Sequence, residues 1–205
     1  MKTMSVATRK LILTLHVITT MGWLGSAAAY IPIASYALSN QNANTIKATI
    51  QIMSLVANVI VLPVAFASLI TGIILSLGTK WGLVRHLWIF FKLVFTALAV
   101  FMLVAYTFEL NHAVAIAEKG MLSNEDLNVL QSPIHLIHPI GGLLIVISAA
   151  ILSVYKPKGM TRYGWRKQME TKKNTESYTN PRWSKGMGIA TACLLLFTAV
   201  LFVVV

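Results

Sequence analysis

Acidic residues and cysteine are scarce in this chain. Among 205 residues there are six Asp and Glu and one cysteine, and charged residues of both signs make up only 11%. A lone Cys193 can form no internal disulfide, which excludes a secreted disulfide scaffold. CxxC, HExxH, a phosphate-cradling glycine loop and a nucleophile elbow are all missing from the sequence, so the corresponding redox, metalloprotease, nucleotide and hydrolase chemistries have no carrier. What the chain has instead is oil, with 57% of its residues hydrophobic. Soluble domains run nearer 45–50% apolar and about 25% charged. A soluble enzyme and a DNA-binding domain are therefore excluded, and the chain reads as an integral membrane protein.

A helix needs about 20 apolar residues to cross roughly 30 Å of hydrocarbon. Five stretches qualify, at about 11–38, 50–77, 86–110, 133–155 and 187–205. None alternates like a barrel strand, and backbone in lipid must satisfy itself, so helices are expected. The fold class is all-α and polytopic, a four-helix bundle with the fifth helix peripheral, in one transmembrane domain over 1–205. Fifteen of the seventeen Lys and Arg fall at the N-terminus, in the turn before the third span with that span's start, and in the basic loop 156–186. Those regions share one side of an alternating topology, which places the N-terminus inside and the C-terminus outside. With the excess charge of +11 concentrated there, its partners are membrane lipids, not nucleic acid.

Three local signals refine this picture. The basic start, apolar run and Ala27-Ala28-Ala29 imitate a signal peptide, but the apolar pattern continues through IPIASYAL and reads as a retained first helix. Ser123-Asn124-Glu125-Asp126 is a helix-start signal and predicts about two turns of helix ending before Pro133. The polar run 171–185 reads as loop, with Trp183 as an interfacial anchor.

Ionisable groups inside a bilayer cost several kcal/mol, so each is a functional candidate by default. Imidazole is also the commonest side-chain ligand of haem iron. His16 lies about six residues into the first span, and its face continues through Thr20, Trp23, Ala27 and Tyr30. Gly22, Gly25 and Ser26 leave room there for a neighbouring helix or a flat macrocycle. His86 opens the third span beside Arg85, with Lys92 less than two turns on. Arg85 and Lys92 are either interfacial anchors that snorkel to headgroups or cations for haem propionates or another anionic head. On the opposite side, His112 and His135 read as solvated loop histidines, and His138 is deeper. His135, His138 and Gly142 share a helix face, and the glycines after His138 allow backbone to come close. Each histidine could equally be a satisfied packing residue.

Depth sorts the pairs. At 1.5 Å per residue His16 is about 9 Å in from one side and His138 about 8 Å in from the other, leaving roughly 13 Å between them. The two ligands of one haem need similar heights, so His16 with His86 and His138 with His112 are the better pairs. Both together would give two stacked redox centres. Glu109, His112, His135 and His138 form a weaker candidate for an outer metal site. Gln51 and Asn58 with Pro63 could line a polar path, but no internal repeat supports a transporter.

Leu15-His16 followed by Trp23-Leu24-Gly25 resembles the first helix of bacterial copper-resistance D-type membrane proteins and, more loosely, of haem-binding membrane protoporphyrinogen oxidase. Phe91-Lys92-Leu93 is similar to the copper-resistance D pattern. The stretches 76–93 and 153–168 resemble an uncharacterised group of bacterial membrane proteins near domain of unknown function 2269. The oxidase resemblance implies an axial haem ligand at His16. Its other motifs are missing, so porphyrinogen oxidation does not transfer. The resulting expectation is a bacterial plasma-membrane protein binding one or two b-type haems through His16, His86, His138 and His112. Trp23, Arg85 and Lys92 would lie nearby, and electrons would pass between quinone and a partner protein. A cofactor-free scaffold, its basic 156–185 segment docked to anionic lipid or a partner, and outer-face metal handling are the alternatives.

Overall fold

The computed structural model describes residues 4–79, 81–172 and 181–204, and all regular structure among them is helical. Eight α-helices follow in order: α1 (Val6–Ser39), α2 (Ala43–Val56), α3 (Leu62–Leu77), α4 (Leu87–Ala117), α5 (Asn124–Leu130), α6 (Ile134–Tyr155), α7 (Arg162–Lys172) and α8 (Arg182–Val204). A π-helical segment, Ala57–Val61, joins α2 to α3 in one continuous rod. Four rods are long and apolar enough to cross a membrane: α1, α2 with α3, α4, and α5 with α6. They match the first four expected spans, each running somewhat past its apolar stretch or starting within a residue of it. The fifth expected span falls in α8, much of whose side-chain content lies outside the described residues.

Local chemistry explains the breaks. Ser5 caps α1, its hydroxyl accepting from the Thr8 amide at 3.1 Å, and Asn42 caps α2 by accepting from Asn44 and Thr45. The rod α2–α3 switches to π just before Pro63, which has no N–H to give the carbonyl four residues back. Asn58 competes for the same stretch by donating to the Ser54 carbonyl at 3.0 Å. The expected outer helix exists as α5, closed by a reciprocal capping box between Ser123 and Asp126. Part of the expected basic loop is not loop: 162–172 forms α7, and residues 182–185 begin α8. Of the polar run 171–185, positions 173–180 lie outside the described residues.

The rods pack with α1 against α3 and α6, α4 against α6, α2 and α3, and α8 along α4. Two apolar cores stack along the bundle. One, toward the basic end, gathers Trp23, Val61, Ala65, Phe91, Phe95, Leu103, Val146 and Leu152. The other gathers Tyr30, Ala34, Ile46, Ile50, Met53, Tyr106, Leu110 and Leu130. On α1 the buried side chains are Trp23, Ala27, Tyr30, Ala34 and Ala37, so the face that His16 starts is the packed one. Leu11, Ile18 and Met21 stand exposed on the other side, as lipid-facing residues do.

Candidate functional site

Polar side chains enter the bundle in two layers. In the layer nearer the basic end, His16 reaches across to α3. Its Nδ1 lies 3.1 Å from the Ser68 carbonyl oxygen and 3.0 Å from Thr71 Oγ1. A carbonyl can only accept, so Nδ1 carries the proton and Nε2 keeps the lone pair. Lys92 of α4 donates to that lone pair from 3.3 Å. Thr20 and Ser68 exchange a hydroxyl hydrogen bond of 2.8 Å just above. Gly72 makes the approach feasible, because a Cβ there would sit 3.1 Å from the imidazole. The glycines singled out on α1 are not the ones used: Gly22 makes only ordinary contact and Gly25 has nothing within 4 Å.

His86 is elsewhere. It precedes α4 in extended conformation, pairs with Met160 in an isolated bridge, and packs edge-on to Trp81 with centroids 5.0 Å apart. Arg85 folds over Gly82, and its carbonyl accepts from the Thr161 amide. Among the described contacts no residue joins the His16 ring to the His86 ring, so this expected pair is not brought together. Lys92 does not simply snorkel outward, since its ammonium is turned to His16.

The second layer lies at the junction of the two cores. Tyr30 and Tyr106 hydroxyls meet at 3.2 Å, and Tyr106 Oη lies 3.0 Å from His135 Nδ1. His135 is only 2% exposed, which corrects its reading as a solvated loop histidine. Pro133 starts α6 before it, so position 135 is turned inward rather than into a loop. Its Nε2 is buried without a hydrogen-bond partner among the described residues. One turn on, His138 stacks flat on Tyr106, with centroids 4.3 Å apart and planes 11° from parallel. His138 is half-buried and no hydrogen bond between its nitrogens and a described residue is found; the buried unpartnered ring atom of this layer is His135 Nε2. His112 is exposed, and six residues beyond Tyr106 it points about 240° further round α4. The expected pairing of His138 with His112 is therefore not formed. Glu109, His112, His135 and His138 do not converge, and no group of three or more metal-ligating side chains exists among the described residues.

A cavity of about 30 Å³ sits against His138, walled by Trp23 and Tyr30 of α1, Ala57 and Val61 of the π segment, Tyr106 of α4 and Gly142 of α6. One backbone departure, the π segment, meets there with Pro139 inside α6 and with Gly142, whose missing Cβ leaves open space. π-helical turns inside α-helices recur at functional sites. The sequence flagged His138, Trp23 and Gly142, but not Tyr106. A tyrosine inside an apolar helix gives no motif, and only its spacing of 29 from His135 in the folded chain reveals it.

Fit to haem divides into chemistry and room. The Nδ1–H of His16 held on a backbone carbonyl is the arrangement that orients metal-bound imidazoles. The His138 nitrogens, without a hydrogen bond to a described residue, also suit ligation. Room is lacking. A water needs at least about 10–15 Å³, whereas cofactor pockets run to roughly 300–1,000 Å³. As packed, the cavity takes a water or two, and a porphyrin does not fit. Comparison of the chain with protein-family models, with curated proteins and with solved structures finds no match in any of the three.

Proposed function

We propose that the chain is a five-pass protein of the bacterial plasma membrane, N-terminus inside and C-terminus outside, that moves electrons through its histidine-bearing bundle. The observation that carries this reading is His138: an imidazole with no hydrogen bond to a described residue, beside a pocket where all four long rods meet. Intramembrane polar groups left unsatisfied by packing alone point to function. Ligand chemistry alone speaks for b-type haem, one or two, with His138 ahead of His16 because Lys92 already occupies His16 Nε2, while the room beside His138 as packed does not hold a porphyrin. His86 and His112 follow. The reading carries a structural requirement, that α6 moves away from α1 about Pro139 to make room for a macrocycle. A quinone, as electron donor or acceptor, asks for less room beside Trp23 and Tyr106. A partner protein would receive the electrons.

A second reading, a scaffold without cofactor, draws on one specific observation: both ring nitrogens of His16 are satisfied by the protein itself. The absorption spectrum separates the two. Protein purified from haem-replete cells is expected to show a Soret band that shifts on dithionite reduction and is lost in His138→Ala. A colourless preparation overturns the haem reading, and a band unchanged in both His138→Ala and His16→Ala overturns ligation by either histidine. Stoichiometric zinc or copper without a Soret band would instead support metal handling.

A further inference from the structure

The basic end of the bundle carries a surface that the electron-transfer reading leaves unused. Residues 156–167 do not trail away from α6. Thr161 caps α7 by accepting from the Gly164 amide at 3.1 Å, and its own amide donates to the Arg85 carbonyl at 3.0 Å. Gly164 is so close beneath Arg85 that an added Cβ would lie 2.2 Å from that carbonyl oxygen. Gly159 is wedged between Pro181, Leu87 and Trp183, and the Trp183 indole donates to the Lys158 carbonyl at 2.8 Å. Sequence positions 85, 159, 164 and 183 thus tie α7 to the starts of α4 and α8. What this tether presents outward is cationic. Lys156, Lys158, Arg162, Arg166, Arg182 and Lys185 are all exposed. Arg162 and Arg166 are four apart on α7, on one face, with exposed Tyr163 beside Arg162. Over 156–186 the sequence has nine Lys and Arg against two Glu.

The position of this surface selects its occupant. It begins where the lipid-facing apolar end of α6 stops, at Val154 and Tyr155, which are 76% and 79% exposed. Aromatic side chains gather at the same level, with Trp81, Trp88 and Trp183 close to one another's rings or to His86 and Phe91. Aromatic belts mark headgroup depth, and clustered cations at that depth attract anionic lipid. We infer that α7, held by Gly164 and Thr161, is a docking site for the headgroup phosphate of an anionic phospholipid, gripped by Arg162 and Arg166. Because the first turn of α7 is pinned to Arg85, the site is a place on the molecule and not a diffuse positive cloud.

The test is lipid retention by the full-length protein. Detergent-purified protein is equilibrated with mixed micelles of phosphatidylglycerol and phosphatidylcholine, and bound lipids are counted by native mass spectrometry. Selective retention of phosphatidylglycerol is expected, weakened roughly 25-fold in R162Q/R166Q, whose exposed positions leave folding intact. Gly164→Leu, which keeps every charge, is expected to reduce retention by displacing α7. Equal retention of the two lipids, or unchanged selectivity in R162Q/R166Q, overturns the proposal. Wild-type selectivity in a folded Gly164→Leu protein overturns the fixed site in favour of diffuse attraction. Displacement of the lipid by a short RNA but not by soluble glycerol phosphate would assign the surface to nucleic acid and also overturn it. None of these outcomes depends on a Soret band, so failure here and failure of the haem reading are distinguishable.

Discussion

The hydroxyl of Tyr106 serves two neighbours, Tyr30 and His135. Removing it leaves His135 with neither nitrogen bonded in a fully buried position. Tyr106→Phe is therefore expected to destabilise the protein by about 1–3 kcal/mol, seen as a lowered midpoint in detergent thermal unfolding. Tyr30→Phe removes only one end of the chain and should cost less. Equal or negligible losses would show that the network does not hold the half of the bundle away from the basic end. At the other layer, Lys92→Met removes the donor on His16 Nε2 while keeping the stem's bulk. If the electron-transfer reading holds through His16, that freed lone pair should strengthen cofactor uptake, read from the Soret absorbance per protein. Sequence had singled out His16, Lys92, His138 and Trp23, because an ionisable or bulky amphipathic group in an apolar run stands out on its own. Ser68, Thr71, Gly72 and Tyr106 did not stand out, since their roles arise only from which helices meet.

Helix ends were the most legible elements. Ser123 with Asp126 announced α5, and four spans were readable by apolar length alone, although the rods extend five to nine residues past one end of each. Other features were hidden for definable reasons. The π segment depends on where Pro63 falls relative to a packed neighbour, which one-dimensional periodicity does not encode. α7 is strongly polar, and a polar helix resting on a bundle carries the composition of a loop. One junction is open to direct test. The Gln131 side-chain amide donates to the carbonyls of Ala37, Leu38 and Asn40, closing the end of α1 from a different element. Gln131→Ala is expected to cost about 1–2 kcal/mol and to speed amide exchange in the last turn of α1. Unchanged exchange there would show that water serves those carbonyls equally well.

For the whole molecule, the charge distribution sets a proposed orientation with a simple readout. Alkaline phosphatase fused after Gly120 or after Val205 should be active, and fused after Lys172 inactive. Activity after Lys172 would invert the orientation, and inactivity after Val205 alone would mean that α8 does not cross. The pairing of histidines was less readable than the spans, because depth along a helix says nothing of rotation about it. His86 and His112 were placed at suitable heights, yet one packs on Trp81 and the other is turned about 240° from the Tyr106 face.

The small half-open pocket beside His138 lies where two separately packed blocks of side chains abut. Hydrostatic pressure favours conformers that eliminate empty space. Compression should therefore close this seam before disturbing either block, whereas filling it with xenon should wedge it open. That makes the breathing of the bundle measurable with no substrate in hand.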